Sequence, residues 1–393
     1  MRRKNIQSRS QTAGSKANHR LRFQHAPALV EALLVWFGRS ARDLPWRRTR
    51  DPYAIWVSEI MLQQTQVKTV IPYWERWMRA LPDIKALARA KPQRIHKLWE
   101  GLGYYTRVRN MQKAAQQIVE QYQGKFPTRF EEVLELPGIG RYTAGAICSI
   151  AFDQPKPILD GNVIRVLTRV FGIEGNPQDK EVNVVLWELA ERLVRHAAEP
   201  EDGREQLRAS HLNQSLMELG ALICTPRQPQ CAACPLSIYC VAFREGRISE
   251  LPNLPARPPA TSRRFLAFVA KQNDRMLVRQ RPAGVVNGHL WEFPNIEVCS
   301  VSVDLKKEAA ATLGIVPAKL EPLCSIKHTI TRYRITLDVF LVESTSLHST
   351  IPAAGQWLTR AEVQKLPFTS AHKRILKELA KEQRTQGRLF DIG

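Results

Sequence analysis

The chain has 393 residues, enough for two or three domains that each bury a core of their own. It carries 58 lysines and arginines against 37 aspartates and glutamates, and this formal net charge of +21 favours a polyanionic partner such as nucleic acid. The sequence has neither a run of about eighteen apolar residues nor a signal-peptide pattern, which argues against a membrane-spanning or secreted protein. We expect an intracellular protein, cytoplasmic and associated with the nucleoid if the source is bacterial.

The first 25 residues form a segment rich in lysine and arginine that contains no apolar run. Such a composition cannot bury enough apolar surface to fold, so we predict a disordered basic arm. An arm of this kind either contacts a polyanion or serves only as a solubilising tail, and the sequence leaves both open.

Residues 26–245 have helical periodicity. Apolar residues recur three and four positions apart in "APALVEALLVWFGRS", "DPYAIWVSEIMLQQ", "TVIPYWERWMRAL", "PQRIHKLWEGLG", "RVRNMQKAAQQIVEQYQG" and "NVVLWELAERLVRHAAE". These segments end at glycine, proline or polar clusters, as helices do. The pattern predicts a mainly α domain.

Within this region Glu59 is the one charged residue of a predicted helix that is otherwise apolar or small up to its polar end. A carboxyl group in apolar surroundings tends to keep its proton at neutral pH unless it is paired. The alternative is that Glu59 marks the solvent-facing side of the helix.

The stretch "ELPGIGRYTAGA", residues 135–146, follows the short helical pattern "FEEVLEL" and predicts a helix-hairpin-helix over about 130–150. Gly138 and Gly140 would let the chain turn tightly and leave backbone N–H groups free at a helix N-terminus, where a DNA phosphate can bind without base recognition. A plain tight turn before a helix gives the same pattern. Downstream, Asp160 opens the helix of "LDGNVIRV", where an aspartate is most often only an N-cap.

Four cysteines follow within seventeen residues, in the spacing C-x6-C-x2-C-x5-C, and predict a loop over 224–240 that holds one metal centre. Their thiolates suit either zinc or an iron–sulfur cluster, and coordination chemistry alone does not decide between them. Disulfides are the remaining alternative, although nothing else in the chain indicates an oxidising compartment. The four are Cys224, Cys231, Cys234 and Cys240.

The composition changes after residue 245. Residues 246–262 are rich in proline and predict a linker. Residues 263–380 contain period-two patterns, as in "RYRITLDVFLVE", and end in a helical pattern near "SAHKRILKELAKEQ", which together predict an α+β domain. Residues 381–393 remain as a tail.

These motifs together resemble the helix-hairpin-helix DNA glycosylases of the endonuclease III-like superfamily. Within it, "LPWRRTRDPYAIWVSEIMLQQTQV", "WEGLGYYTRVRN" and "NQSLMELGALICTPRQPQC" are similar to the MutY-type adenine DNA glycosylases. The resemblance is dense from about 28 to 245 and looser afterwards. It implies base excision repair of adenine opposite 8-oxoguanine or guanine in double-stranded DNA, a 4Fe-4S cluster on the four cysteines, and a monomer.

The resemblance also implies roles for three residues. Glu59 would protonate N7 of a flipped-out adenine while an ionised Asp160 stabilises the oxocarbenium-like sugar. Tyr142 stands where the endonuclease III branch has a lysine, and a neutral phenol forms no Schiff base, so the family comparison implies base removal without strand cutting. Tyr142 would fix the carboxylate of Asp160 by a hydrogen bond.

Further positions match residues that contact DNA or the adenine in this family. Gln64 and Tyr104 match residues that wedge into the duplex and hold the opposing base. The positions that match the adenine pocket are Arg42, Trp46, Arg47 and Gln214.

The C-terminal region, through "GHLWEFPNIEV", looks like the Nudix-type fold that reads 8-oxoguanine in MutY-type proteins. Glu308 alone stands where a Nudix hydrolase needs several glutamates for magnesium, so we expect a reader without pyrophosphate hydrolysis. Ile330-Thr331-Arg332 replaces the Phe-Ser-His of the lesion-reading loop, and Thr331 keeps a hydroxyl there. The loss of the histidine leaves the preference for 8-oxoguanine over guanine open.

The end of the chain contains Gln386, Leu389 and Phe390 in a spacing similar to peptides that bind the bacterial sliding clamp. Two other functions share the charge and the motifs. A bifunctional glycosylase and lyase of the endonuclease III type would cut the strand, and a non-catalytic lesion-binding protein would release no base.

Overall fold

The structure is a computed structural model that describes residues 25–199, 207–256, 258–299, 303–344 and 355–390, with the backbone alone for 344 and 383–390. The basic arm predicted over 1–25 therefore lies outside the described residues except for its last position. Among the described residues no helix is long and apolar enough to cross a membrane. The chain divides into two compact units, one from residues 1–89 and 110–256 and the other from 90–109 and 257–393. Residues 90–109, which we expected in the helical domain, thus group with the C-terminal unit.

Helices dominate the described chain up to residue 244, and all of them outside residues 90–109 belong to the first unit. In chain order they are α1 (Ala26–Ser40), α2 (Pro52–Leu62), α3 (Val67–Ala80), α4 (Ile84–Arg89), α5 (Pro92–Trp99), α6 (Thr106–Tyr122), α7 (Phe130–Leu134), α8 (Arg141–Phe152), α9 (Gly161–Phe171), α10 (Lys180–Ala198), α11 (Arg208–Leu222) and α12 (Val241–Arg244). The prediction of a mainly helical domain is confirmed.

One core of this unit forms where α1, α9, α10 and α11 pack together, through residues such as Leu33, Val166, Leu193 and Leu216. Each such side chain contributes about 1.5–3 kcal/mol by leaving water. Helix α2 is enclosed on all sides, because every residue from Tyr53 to Met61 is buried.

The helix-hairpin-helix consists of α7, a turn and α8. Gly138 in the turn has φ +79°, and a Cβ there would lie 2.7 Å from Cβ of Asn110, so both the backbone conformation and the space require glycine. Gly140 is the N-cap of α8 with ordinary extended backbone, φ −98°, and a Cβ there would meet nothing within 4 Å. The tight turn therefore depends on the first glycine, whereas the second leaves open space in front of the helix N-terminus.

The second unit is built on a seven-stranded sheet with strand order β3-β2-β1-β6-β5, to which β4 adds beside β1 and β7 beside β2. Strands β1 and β6 pair in parallel at its centre, and the other pairings are antiparallel. The strands are β1 (Thr261–Gln272), β2 (Arg275–Gln280), β3 (Trp291–Glu292), β4 (Asn295–Val298), β5 (Pro317–Ile330), β6 (Tyr333–Ser344) and β7 (Gly355–Thr359).

Alternating side chains of β1 fill two separate cores. Ala267 and Val269 pack with residues of α14 (Arg360–Lys365) and α15 (Ser370–Phe390), while Leu266 and Phe268 pack with residues of α13 (Leu305–Leu313). This period of two is what a sheet covered by helices on both faces requires. The α+β prediction is confirmed. Helix α15 continues to Phe390 and includes most of the segment that we expected as a tail.

Candidate active site

The three predicted catalytic residues line one cleft of the first unit. Glu59 comes from α2, Tyr142 from the first turn of α8 and Asp160 from the residue before α9, and the cleft has a volume of about 500 Å³. This is large enough to admit a flipped nucleoside. The five predicted pocket and wedge residues that also line it are Arg42, Trp46, Arg47, Gln64 and Gln214.

Glu59 is only 5 % exposed, which excludes the solvent-facing alternative. Its Oε2 accepts a hydrogen bond of 2.8 Å from the Tyr142 hydroxyl. Burial raises the pKa of Glu59 to about 7; the charge of Asp160 also raises it, while the Tyr142 hydroxyl and Arg47 lower it. A carboxyl group with this pKa can both deliver and recover a proton near neutral pH.

Asp160 is the N-cap of α9. Its Oδ1 accepts a 2.8 Å hydrogen bond from the backbone N–H of Val163, and its Oδ2 accepts one of 3.2 Å from Nδ2 of Asn162. Burial raises the pKa of Asp160, and these hydrogen bonds act in the opposite direction. The donors and the helix N-terminus favour a charged, oriented carboxylate.

The hydroxyl of Tyr142 has a different partner from the one expected. We expected it to bind Asp160, but it donates to Glu59 because α2 and α8 pack closely in this unit. The sulfur of Met217, 3.3 Å away, is its other possible acceptor. Burial and the charges of Glu59 and Asp160 raise the pKa of Tyr142 well above its ordinary value, so the phenol stays neutral.

Glu218 on α11 is a cleft residue that sequence reasoning missed. Its side chain is 1 % exposed and forms ion pairs with Arg42 at 2.7 Å and Arg47 at 3.0 Å. Burial acts to raise the pKa of Glu218, but hydrogen bonds from the two arginines outweigh it and lower the pKa to about 2. Arg42 and Arg47 do line the pocket as expected, and a common carboxylate fixes their orientation.

A signal for Glu218 exists in the sequence. It is the only charged residue in "NQSLMELGALIC", four positions after Gln214 and therefore on the same helix face. Gln214 itself is buried and donates a 3.1 Å hydrogen bond to the hydroxyl of Ser210. The criterion that singled out Glu59, a lone charge in an apolar helix, also selects Glu218.

Helix α9 connects Asp160 to the cysteine loop through hydrogen bonds. Arg165 donates to Oδ1 of Asn162 at 2.8 Å and to the carbonyl oxygen of Cys224 at 2.6 Å. Gly220 permits this arrangement, because a Cβ there would lie 2.6 Å from Cβ of Asn162. The position of Asp160 is therefore tied to the loop that carries the cysteines.

The four cysteines predicted to bind a metal centre line one small cavity, together with Arg169. Among the described residues no group of three or more histidine, cysteine or acidic side chains is close enough to hold a metal ion. A zinc site needs four sulfurs about 2.3 Å from one point. The cysteine loop thus brings all four predicted ligands to one place in the fold.

Three predicted DNA contacts share a backbone property. Gln64, Tyr104 and Thr331 have φ values of +58°, +48° and +51°, although none of them is glycine. Such conformations cost about 1–3 kcal/mol and are concentrated at functional sites. Thr331 is exposed at the two-residue tip between β5 and β6. There Arg332 donates a 3.2 Å hydrogen bond to the hydroxyl of Tyr333.

Two protein families match separate parts of the chain. Residues 57–192 match the HhH-GPD superfamily base excision DNA repair protein family, and these residues include Glu59, Tyr142 and Asp160. Residues 266–378 match the NUDIX domain family, which agrees with the sheet and helices of the second unit.

Several relatives match most of the chain. The chain is 35% identical to the adenine DNA glycosylase of Mus musculus, over 88% of this chain and 76% of that protein. It is 41% identical to the adenine DNA glycosylase of Buchnera aphidicola subsp. Acyrthosiphon pisum, over 79% of this chain and 85% of that protein. The solved structure of a thermostable thymine-DNA glycosylase matches 56% of this chain and 98% of its own, with 30% identity and a TM-score of 0.50. The chain belongs to the adenine DNA glycosylase family.

Proposed function

We propose that this chain hydrolyses the bond between adenine and deoxyribose in DNA where adenine is mispaired with 8-oxoguanine or guanine. The observation that carries the proposal is a buried carboxyl group with a pKa of about 7 that shares a cleft with a second carboxyl group hydrogen-bonded at a helix N-terminus. Where two carboxyl groups stand in environments that give them different pKa values, the one with the higher pKa can act as the acid and the other as the charged stabiliser. The activity of the family relatives supports adenine as the base.

The first step is protonation of the base. The adenine leaves the stack and enters the cleft, because its glycosidic bond is inaccessible inside the duplex. Glu59 gives its proton to N7, and the C1′–N9 bond breaks with its electron pair moving onto the adenine. The sugar is left with positive oxocarbenium character.

The second step is the addition of water. Asp160, held by Val163 and Asn162, stabilises the positive sugar with its negative charge. Water adds to C1′ and gives one proton to the carboxylate of Glu59, which restores the acid. The products are free adenine and an abasic site, and no cofactor is consumed.

We propose that the enzyme is monofunctional. Strand cutting by the endonuclease III branch needs an amine that attacks the sugar, and Tyr142 offers a neutral phenol at that position. Breakage should therefore require alkali after base release. Strand cutting without alkali would indicate the bifunctional alternative, and binding without base release would indicate a non-catalytic reader.

DNA recognition is divided between the two units in this proposal. The backbone N–H groups at the start of α8, beside Gly138 and Gly140, bind a phosphate, and the net positive charge supports this role. Gln64 wedges into the duplex beside the adenine. The NUDIX-type unit reads the opposite base through the tip at Thr331.

We also propose that the four cysteines hold a 4Fe-4S cluster. The spacing of the cysteines, their shared cavity and the family resemblance support this cluster. When bound, such a cluster would brace the loop against α9, where Arg165 and Arg169 donate hydrogen bonds to the loop's carbonyl oxygens. Iron and sulfide analysis of the purified protein, which should be brown, tests this assignment.

A sliding clamp is a further proposed partner, through Gln386, Leu389 and Phe390. Their backbone lies at the end of α15, and their side chains lie outside the described residues. Deleting residues 386–393 should abolish binding to a purified clamp. Unchanged binding would remove the proposal.

The enzymatic proposal is tested with duplexes that contain adenine opposite 8-oxoguanine or guanine. Adenine release and strand breakage are measured with and without alkali for the wild type, Glu59→Gln and Asp160→Asn. We expect release by the wild type and a loss of at least about 100-fold in each variant, as general acid catalysis and charge stabilisation supply. Glu120→Gln, an exposed change on α6, is the matched control. Full activity of Glu59→Gln would contradict the mechanism.

A further inference from the structure

Residues 90–109 fall within the match to the HhH-GPD family but pack in the unit that contains the NUDIX-type sheet. They comprise α5, the turn that follows it and the start of α6. Tyr104 lies in this turn, 50 % exposed and with φ +48°. Tyr104, which matches a family residue that wedges into DNA, therefore belongs to the unit that would read the opposite base.

Glu100, the first residue after α5, is buried and connects this segment to the sheet domain. Its side chain is 4 % exposed. Its Oε1 accepts a hydrogen bond of 2.9 Å from the backbone N–H of Phe368, and its Oε2 accepts one of 2.5 Å from Nζ of Lys373. Lys97 pairs with the same carboxylate at 3.2 Å and donates to the carbonyl oxygen of Leu366 at 2.8 Å.

The partners of Glu100 are themselves fixed to the sheet. The backbone N–H of Trp291 donates to the carbonyl oxygen of Pro367 at 2.9 Å, and that of Thr369 donates to the carbonyl oxygen of Trp291 at 3.1 Å. Directly after β3, Phe293 donates its backbone N–H to Nδ1 of the buried His372 at 3.0 Å. The carboxylate of Glu100 thus binds a loop that cannot shift without breaking contacts to β3.

Contacts within the segment join the neighbours of Glu100 to Tyr104 and its neighbours. The indole N–H of Trp99 donates to the carbonyl oxygen of Gly103 at 3.0 Å, and Gly101 donates its N–H to the Tyr105 hydroxyl at 3.3 Å. The guanidinium of Arg107 lies 5.4 Å from the ring centroids of both Trp99 and Tyr104. A tyrosine in the left-handed region persists only where its surroundings hold it there.

We propose that Glu100 is a positioning residue, through which the NUDIX-type unit holds Tyr104 ready to stack on the DNA at the mispair. This inference rests on the proposed function and on the match of Tyr104 to family residues that wedge into the duplex and hold the opposing base. A buried carboxylate with three donors is an anchor of defined direction, and it lies four residues from the exposed ring. Recognition of the opposite base and distortion of the duplex are then coupled through one side chain.

A double-mutant cycle tests the coupling. The dissociation constant is measured for the full chain on a duplex with 8-oxoguanine opposite 2′-fluoro-deoxyadenosine, whose glycosidic bond resists cleavage. The proteins are the wild type, Glu100→Gln, Tyr104→Ala and the double variant. Glu378→Gln, which changes a partly exposed glutamate on α15 that pairs with Lys381, is the matched control.

We expect Tyr104→Ala to weaken binding at least about fivefold, as loss of one stacked base does. Glu100→Gln should weaken binding about fivefold in the wild-type background and less than about twofold in the Tyr104→Ala background, because the anchor then has no ring to hold. Lys373→Gln, which leaves the bond from Phe368, should act in the same direction and serves as a second variant if Glu100→Gln folds poorly.

Equal weakening in both backgrounds would show a merely structural role for Glu100 and overturn the proposal, as would unchanged binding by both Glu100→Gln and Lys373→Gln. The binding measurement does not depend on catalysis. A wild type that binds this duplex but releases no adenine from a cleavable one would refute the enzymatic function and leave the role of Glu100 to be decided by the cycle.

Discussion

The hydrogen bond between Tyr142 and Glu59 makes a prediction with a defined sign. The Tyr142 hydroxyl donates to Oε2 of Glu59 at 2.8 Å and thereby lowers the pKa of that carboxyl group. Tyr142→Phe removes the donor and keeps the ring, so the pKa of Glu59 should rise. Because the mechanism needs protonated Glu59, the rate of adenine release should persist to higher pH in the variant.

The size of the effect follows from the pKa of about 7. In the wild type the protonated fraction of Glu59 falls from about nine-tenths at pH 6 to about one-tenth at pH 8, so the rate should fall roughly tenfold across this interval. A hydrogen bond to a charged group contributes about 1.5–3 kcal/mol, and one pKa unit corresponds to about 1.4 kcal/mol. In Tyr142→Phe the descending limb of the plot of adenine release rate against pH should therefore move to higher pH by about one unit or more.

The assay is single-turnover adenine release from an A:8-oxoguanine duplex between pH 5.5 and 9. The position of the limb is independent of the absolute rate, so a slower variant still gives a clear answer. Tyr122→Phe, at the end of α6, is the control and should keep the wild-type limb. A limb of Tyr142→Phe at the wild-type pH or below it would refute the assignment of Glu59 as the proton donor.

The remaining predictions concern stability. The raised pKa of Glu59 means that the folded protein binds its proton more tightly than the unfolded chain, so the unfolding free energy falls as pH rises from about 4.5 to about 7. Glu59→Gln removes this pH-dependent loss. The difference in unfolding free energy between the variant and the wild type should therefore shift in favour of the variant by on the order of 3 kcal/mol from pH 4.5 to pH 8, measured by urea unfolding at both values. A difference that does not change with pH would contradict this prediction. Glu218→Gln leaves Arg42 and Arg47 without their common carboxylate and should cost about 2–4 kcal/mol at pH 7 in the same measurement, whereas a cost under about 0.5 kcal/mol would show that the ion pairs contribute little.

Much of this site was accessible from sequence because its signals are local. A lone glutamate in an apolar helix, an aspartate before a helix and a glycine turn are each readable within about ten residues, and the resemblance assigned them to one site. The structure brings Glu59, Tyr142 and Asp160 to one cleft. The predicted hydrogen-bond partner of Tyr142 was wrong. Its actual partner, Glu59, lies 83 positions away in the chain, and the contact depends on how closely α2 packs on α8.

Long-range pairing accounts for the other differences. The parallel register of β1 with β6 joins Thr261 to Tyr333, and no local pattern encodes it. The grouping of residues 90–109 with the second unit is likewise long-range, and one of its contacts joins Glu100 to Phe368 over 268 positions. In sequence, Glu100 looks like an ordinary helix-end glutamate, and only its burial shows otherwise.

The different roles proposed for the two carboxyl groups are explained by where each one stands on its helix. Glu59 lies inside α2, where the backbone N–H groups are already used by the helix, so its donors must come from side chains such as Tyr142. Asp160 precedes α9, where the first N–H groups of a helix have no carbonyl partner and Val163 supplies one of them. Burial raises the pKa of both groups, but only Asp160 meets free backbone donors and the positive end of a helix. A carboxyl group in mid-helix is thereby suited to hold a proton and one at the N-cap to carry a charge.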